Sequence, residues 1–232
     1  MKTFISLTWT EDISDSEVKV LIHTVAERVI RVGERVGLWF QSQALPTVRP
    51  FGDWVILMAP RGSAYSSLEW YLNRCRTPDG NRLDGPAYLR LVEMEPWQSS
   101  TPHYDVALVT QNLADAEGQS VLNVALPGLA ALASVHHVRR LDSQEAQVLG
   151  LRYLVAHALG RAVGIPLPTH LTGTVTHGKD VYCANLCAMR PCTHLRELLE
   201  YGMESIGWPN LYCQTCERDL EAVFIGSYCG LN

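Results

Sequence analysis

Between Asp142 and Pro168 the chain reads DSQEAQVLGLRYLVAHALGRAVGIPLP, and this stretch constrains the fold more tightly than any other. Val148, Leu151, Leu154, Val155 and Leu159 recur at the spacing of one helical face. Asp142 is followed three residues later by Glu145, a capping box in its Asp form. Gly164 suits the left-handed residue that closes a helix, and Pro166 and Pro168 prevent continuation. The spacing therefore predicts a helix over Ser143 to Val163, roughly 30 Å long at 1.5 Å per residue. Its apolar interior carries a single histidine, His157.

Around this helix the pattern predicts an α+β layout with a mixed twisted sheet. Lys2 to Thr10 reads as a strand, and Asp15 to Arg31 as a helix capped by Asp12 or Ser14. Val36 to Gln41 and Trp54 to Ala59 read as strands joined by a Pro-bearing connection, and Ser66 to Arg74 as a short helix. CRTPDGNRLDGP is rich in turn residues. Tyr88 to Met94, Asp105 to Thr110, Gln119 to Leu126 and Ala131 to Val138 read as further strands. His170 to Tyr182 reads as a Gly/Thr-rich loop, Thr193 to Met203 as a helix, and a last short helix begins at about Glu217. With no Pro/Ser-rich or charged linker, residues 1–232 read as one domain. Residues 1–164 form its sheet-and-helix part and residues 165–232 its Cys-rich part.

Bulk properties exclude several functions. A net charge of -5 with no basic run argues against direct nucleic-acid binding. No apolar stretch has the length of a membrane span. MKTFISLTWTEDISDSE lacks the long apolar core and cleavage site of a signal peptide, so a cytoplasmic location is expected. Six of the seven cysteines lie in the last fifty residues. An odd count without an export signal disfavours a disulfide framework, whereas paired cysteines in a reducing compartment commonly hold a metal. Cys183-x3-Cys187 and Cys213-x2-Cys216 are two close pairs, each able to supply two of the four thiolates that tetrahedral zinc requires. Cys192 lies close enough to replace one ligand, while Cys75 and Cys229 read as ordinary thiols. His136 and His137, near a strand end, receive no role.

Taken in order, HALGRAVG, Cys187-Ala-Met189 and Cys213-Gln-Thr-Cys216 resemble the archaemetzincins. That family carries H-E-x-x-H-x-x-G-x-x-H-C, then C-x-M, and finally C-x-x-C. YDVALVTQNLA and the Ala131 to Leu141 stretch resemble the strands before the family's helix. The resemblance covers the second half well and the first half in general layout. It implies a zincin/metzincin fold, with an active-site-type helix and a zinc-stapled C-terminal subdomain. His157 matches the first catalytic-zinc ligand, Ala158 the Glu base, Arg161 the second ligand and Leu167 the third. Gly164 keeps the family glycine and Met189 is the Met-turn residue. Cys183, Cys187, Cys213 and Cys216 match the structural zinc ligands, although the first spacing is one residue shorter than the family's. The loop between the helix and Cys183 is longer than the family's.

Chemistry treats these replacements severely. Positions 157 and 161 lie one turn apart on one helix face, where two histidines could grip one ion. Arg161 has no lone pair to offer. Two unit charges about 4 Å apart repel by roughly 4 kcal/mol at an effective dielectric of 20, and a divalent ion doubles that. Without Glu at 158, nothing in the motif takes a proton from bound water. The expectation is a pseudoprotease with one structural Zn2+, acting through protein contacts. In it, the vestigial cleft beside Arg161 would take an acidic peptide partner. The alternative is a divergent metalloprotease or aminopeptidase, in which His170 or His177 joins His157 around a displaced metal.

Overall fold

The computed structural model describes residues 2–37, 45–56, 60, 62–192, 194, 196–197, 199–200 and 211–229, with side chains through residue 226. Strands β1 (Phe4–Trp9), β2 (Thr47–Gly52), β4 (Tyr104–Val109), β7 (Asn123–Leu126) and β8 (Ala130–Ser134) form a five-stranded sheet in the order β2-β1-β4-β8-β7. The first four run parallel, and β7 returns antiparallel against β8. A small second sheet joins β3 (Leu83–Asp84), β5 (Leu113–Ala114) and β6 (Ser120–Val121).

The central strands are buried on both faces, and their side chains divide by alternation. Val106 and Leu108 of β4, with Ala131 and Ala133 of β8, point into one core. There they meet α1 (Asp15–Val36) and α4 (Gln144–Val163). Ala107 and Val109, with Ala130 and Leu132, point to the other face under α2 (Leu68–Arg74) and α3 (Gly85–Glu93). Small alanines on β8 let the helices approach the sheet closely. The last helix, α5 (Gln214–Cys229), packs on α1 and α4. Arg35 of α1 forms ion pairs with Glu217 and Glu221 of α5.

Several elements differ from the sequence reading. Helix α1 starts at the Ser14 capping box with Glu17 and runs on to Gly37 at φ 69°, so Val36 ends a helix and begins no strand. The expected strand over residues 36–41 otherwise lies outside the described residues. Strand β2 falls instead on TVRPFG, within the Pro-bearing connection; as an edge strand it tolerates Pro50. Trp54 to Ile56 contributes one isolated bridge, Trp54 to Ser67, and the rest of that expected strand is not described. The Tyr88 to Met94 stretch is helix α3, because the Asp84 side chain accepts from Ala87 N at 2.8 Å and Pro86 pre-sets its first turn. Helix α4 is capped by Ser143, accepting from Ala146 N, where Asp142 was expected. The Ala131 to Val138 strand ends at Ser134 and gives way to a 3-10 turn. The Thr193 to Met203 helix falls largely outside the described residues.

The largest addition is a hairpin inside the expected Gly/Thr loop. β9 (Thr174–His177) pairs antiparallel with β10 (Asp180–Cys183), joined by Gly178 and Lys179. Gly178 takes the first central position of the two-residue turn at φ 61°, a conformation that glycine adopts without strain.

Candidate metal centre and the covered helix face

The C-terminal chemistry is assembled from three short pieces. Cys183 is the last residue of β10, and its N–H donates to Met189 O at 3.0 Å, folding the Cys187-Ala-Met189 turn back on it. Ala188 N donates to Leu211 O at 2.8 Å, which brings residues 211–213 alongside. Cys213 immediately precedes α5, and Cys216 lies in its first turn. The four sulfurs of Cys183, Cys187, Cys213 and Cys216 all lie within 4.8 Å of one another. Cys183 and Cys213 are 3.7 Å apart, and Cys187 and Cys216 are 3.8 Å apart. A tetrahedron with Zn–S bonds of about 2.3 Å has edges of about 3.8 Å, so the donor set fits one Zn2+.

Surrounding donors favour thiolates. Asn185 N points at the Cys183 sulfur at 3.3 Å, and Asn185 Nδ2 at the Cys213 sulfur at 3.2 Å. His170 Nε2 lies 3.3 Å from the Cys183 sulfur while its Nδ1 meets Asp219 Oδ2 at 2.6 Å. Asp219 also accepts from Leu167 N at 3.0 Å, which ties the chain after α4 to α5. Sharing of protons among the crowded sulfurs pulls Cys183 down to about 6, through the Cys187 side chain first, and pushes Cys187 up. The positive end of the α5 dipole acts in the same sense as the donors. His170 is therefore a neighbour of the cysteine cluster. Cys192 donates to His194 O at 3.3 Å, and the sulfurs that come together are the other four.

Met189 is fully buried beneath α4. A Cβ on Gly160 would stand 2.1 Å from its sulfur, so the turn and the helix touch only because residue 160 is glycine.

The 157/161 face of α4 is covered by the chain itself. His157 is 3% exposed, and its Nδ1–H donates to Ala188 O at 2.6 Å. Burial, with Arg161 adding to it, holds the ring neutral and lowers its pKa to about 4. Tyr182 of β10 stacks on the imidazole, with centroids 5.9 Å apart and planes 18° off parallel. The same ring lies 4.7 Å from the Arg161 guanidinium. Arg161, 4% exposed, reaches Asp180 Oδ1 at 2.6 Å and donates to Val181 O at 3.2 Å. The sequence reading places a partner's acidic peptide beside Arg161; in the structure the guanidinium is already taken by Asp180 of β10. Ala158 is fully buried in the main core, and Leu167 packs at its edge. His177, on β9, lies 6.4 Å from Tyr182, ring to ring.

The sequence reading missed Tyr182 and Asp180. The signal that could have found them is TVTHGKDVYC, two β-rich runs flanking a Gly-X turn.

No protein-family model matches the sequence, and no curated protein sequence matches it. Solved structures do. The archaemetzincin of Methanopyrus kandleri superposes with a TM-score of 0.57 at 15% identity, over 95% of this chain and 94% of that one. The Archaeoglobus fulgidus archaemetzincin, solved with malonate, gives 0.54 at 14% identity over 93% and 99%. A zinc-dependent peptidase from Methanocorpusculum labreanum gives 0.52 at 18% identity over 93% and 99%. The chain has an archaemetzincin-like fold.

Proposed function

We propose that this chain is a pseudoprotease: a single archaemetzincin-like domain that keeps one structural zinc at Cys183, Cys187, Cys213 and Cys216 and acts in the cytoplasm through protein contacts. The observation that carries this is the Arg161–Asp180 pair. Where a second metal ligand would stand, a buried cation is neutralised by the chain's own hairpin. A divalent ion beside His157 would have to displace that hairpin and bear the repulsion of Arg161. Ala158, sealed in the core, leaves no base for hydrolysis. Covering of the cleft moves partner contacts to the hairpin and its surroundings, where Leu171, Val175, Val181 and Leu186 are exposed.

One feature favours the second reading. The His157 Nδ1–H is donated to a backbone carbonyl, as in histidines that ligate metal through their other nitrogen. A rearranged metalloprotease would need the hairpin to open over that nitrogen. Both readings are tested with a mixed peptide library and zinc-supplemented protein. The expected result is no hydrolysis above background. Cleavage that disappears both on chelation and in His157→Ala would establish the second reading instead.

A further inference from the structure

Glu95, His103 and Asp105 converge in the buried interior where α3 gives way to β4. The ligand atoms of all three lie within 4.8 Å of one another. Their side chains are 4%, 4% and 10% exposed. The sequence reading gives none of the three a role as a ligand; Asp105 enters it only as part of the YDVALVT strand.

We propose that His103 Nε2, Glu95 Oε2 and an Asp105 carboxylate oxygen form a second divalent-metal site, suited to zinc and additional to the ion at the cysteines. The first argument is the tautomer. His103 Nδ1 lies 2.7 Å from Thr101 O, a carbonyl that can only accept, so the proton sits on Nδ1. In the neutral ring the Nε2 lone pair then faces the two carboxylates, 3.1 Å from Asp105 Oδ2 and 3.9 Å from Glu95 Oε2. A cation must lie between that nitrogen and the carboxylates, and either a proton on Nε2 or a metal ion supplies it. Tetrahedral bonds of about 2.1 Å would set ligand atoms about 3.4 Å apart, and the two distances straddle that value.

The second argument is the unsatisfied oxygen. Glu95 Oε1 accepts from the Tyr71 hydroxyl at 2.5 Å, while Oε2 is buried without a hydrogen bond of good geometry, the Trp97 indole being the other donor beside the carboxyl. A buried, poorly paired carboxylate oxygen aimed at an imidazole nitrogen is costly unless an ion meets it. Third, each proposed ligand is held from behind. Thr101 O fixes His103, Tyr71 fixes Glu95, and Gln98 Nε2 donates to Asp105 Oδ2 at 3.0 Å. Gln98 Nε2 also approaches His103 Nε2 at 3.4 Å, closing the pocket. Supports of this kind orient ligands in metal sites. The packing is rigid as well, because Phe4 stacks on His103 with centroids 4.5 Å apart and planes 8° from parallel.

Without an ion, protons must do the same work. Metal binding would displace those protons.

The test compares wild type with Glu95→Gln, both purified from zinc-supplemented medium with the cysteine cluster intact. Elemental analysis should give one zinc fewer per chain in Glu95→Gln. Tyr71→Phe, which removes only a support, should weaken zinc at this site by about 10- to 100-fold with an unchanged circular dichroism spectrum. Because the result is a difference between cysteine-intact proteins, it is independent of whether the cysteines are filled. Should Glu95→Gln fail to fold, nitrogen-15 NMR of the wild-type His103 ring decides. Zinc-dependent loss of the Nε2 proton supports the site. Equal zinc in both proteins, or a ring that stays doubly protonated at saturating zinc, overturns it and assigns the pocket to protons.

Discussion

Asp180→Ala should loosen the hairpin from α4 by an amount that can be bounded from the geometry. Arg161 and Asp180 meet at 2.6 Å, with side chains 5% and 46% exposed. Two unit charges about 4 Å apart attract by roughly 4 kcal/mol at an effective dielectric of 20. Stranding a fully buried partner costs about 3–5 kcal/mol, whereas exposed pairs give about 0.2–1 kcal/mol. Asp180 is nearly half in water and Arg161 keeps the Val181 carbonyl and the Tyr182 ring, so the coupling should fall near 1–2 kcal/mol. A double-mutant cycle with Arg161→Met, read by urea unfolding, isolates that pairwise value. Hydrogen exchange at the Cys183 amide, which donates to Met189 O, should accelerate by about 5- to 30-fold in Asp180→Ala. A coupling below about 0.3 kcal/mol, the ordinary error of additivity, would mean that Arg161 does not fasten the hairpin.

Other consequences are independent of that pair. Cys213→Ser should abolish zinc binding at the cluster and cost several kcal/mol, a fraction of the roughly 10–16 kcal/mol that structural zinc supplies in small systems; unchanged thermal unfolding would contradict a structural ion. Gly160→Ala should destabilise the wild type by about 1 kcal/mol, overpacking against Met189 outweighing the helix-propensity gain. In a Met189→Ala background the same change should stabilise by up to about 1 kcal/mol, and a common sign in both backgrounds would refute the contact. His157 has a folded pKa of about 4, below its unfolded value near 6.5. The folded state therefore resists protonation. The His157 contribution is full above about pH 6.5, declines as pH falls towards 4, and amounts to about 3 kcal/mol. His157→Gln should flatten that part of the pH–stability curve, and an unaltered slope would show that the ring is not held neutral.

Legibility in the sequence followed how local each signal was. Helix α4 could be read because periodicity, a polar cap and Gly164 agree within one stretch; only the cap slipped, from Asp142 to Ser143. The four cysteines could be paired because two lie in each short motif. Helix α3 was misread because AYLRLVEM satisfies both a strand and a helix, and the cap and proline that decide it precede the apolar run. Strand β2 was missed because half-exposed TVRPFG carries a proline and depends on β1 for its pairing. The meaning of Arg161 could not be read at all, since its partner Asp180 comes from a hairpin nineteen positions later. The Glu95–His103–Asp105 pocket has the same character: H-x-D puts two residues on one strand face, but Glu95 arrives from the end of a helix.

Where metal sits separates a pseudoprotease from a working metalloprotease. Anomalous scattering at the zinc edge from crystals of the purified protein measures that directly. The predicted map has a peak among the sulfurs of Cys183, Cys187, Cys213 and Cys216 and none within bonding distance of His157, with Tyr182 still stacked on the ring. A zinc peak coordinated by His157, with Arg161 and the hairpin displaced, would contradict the account and restore the helix as a metal-binding active site.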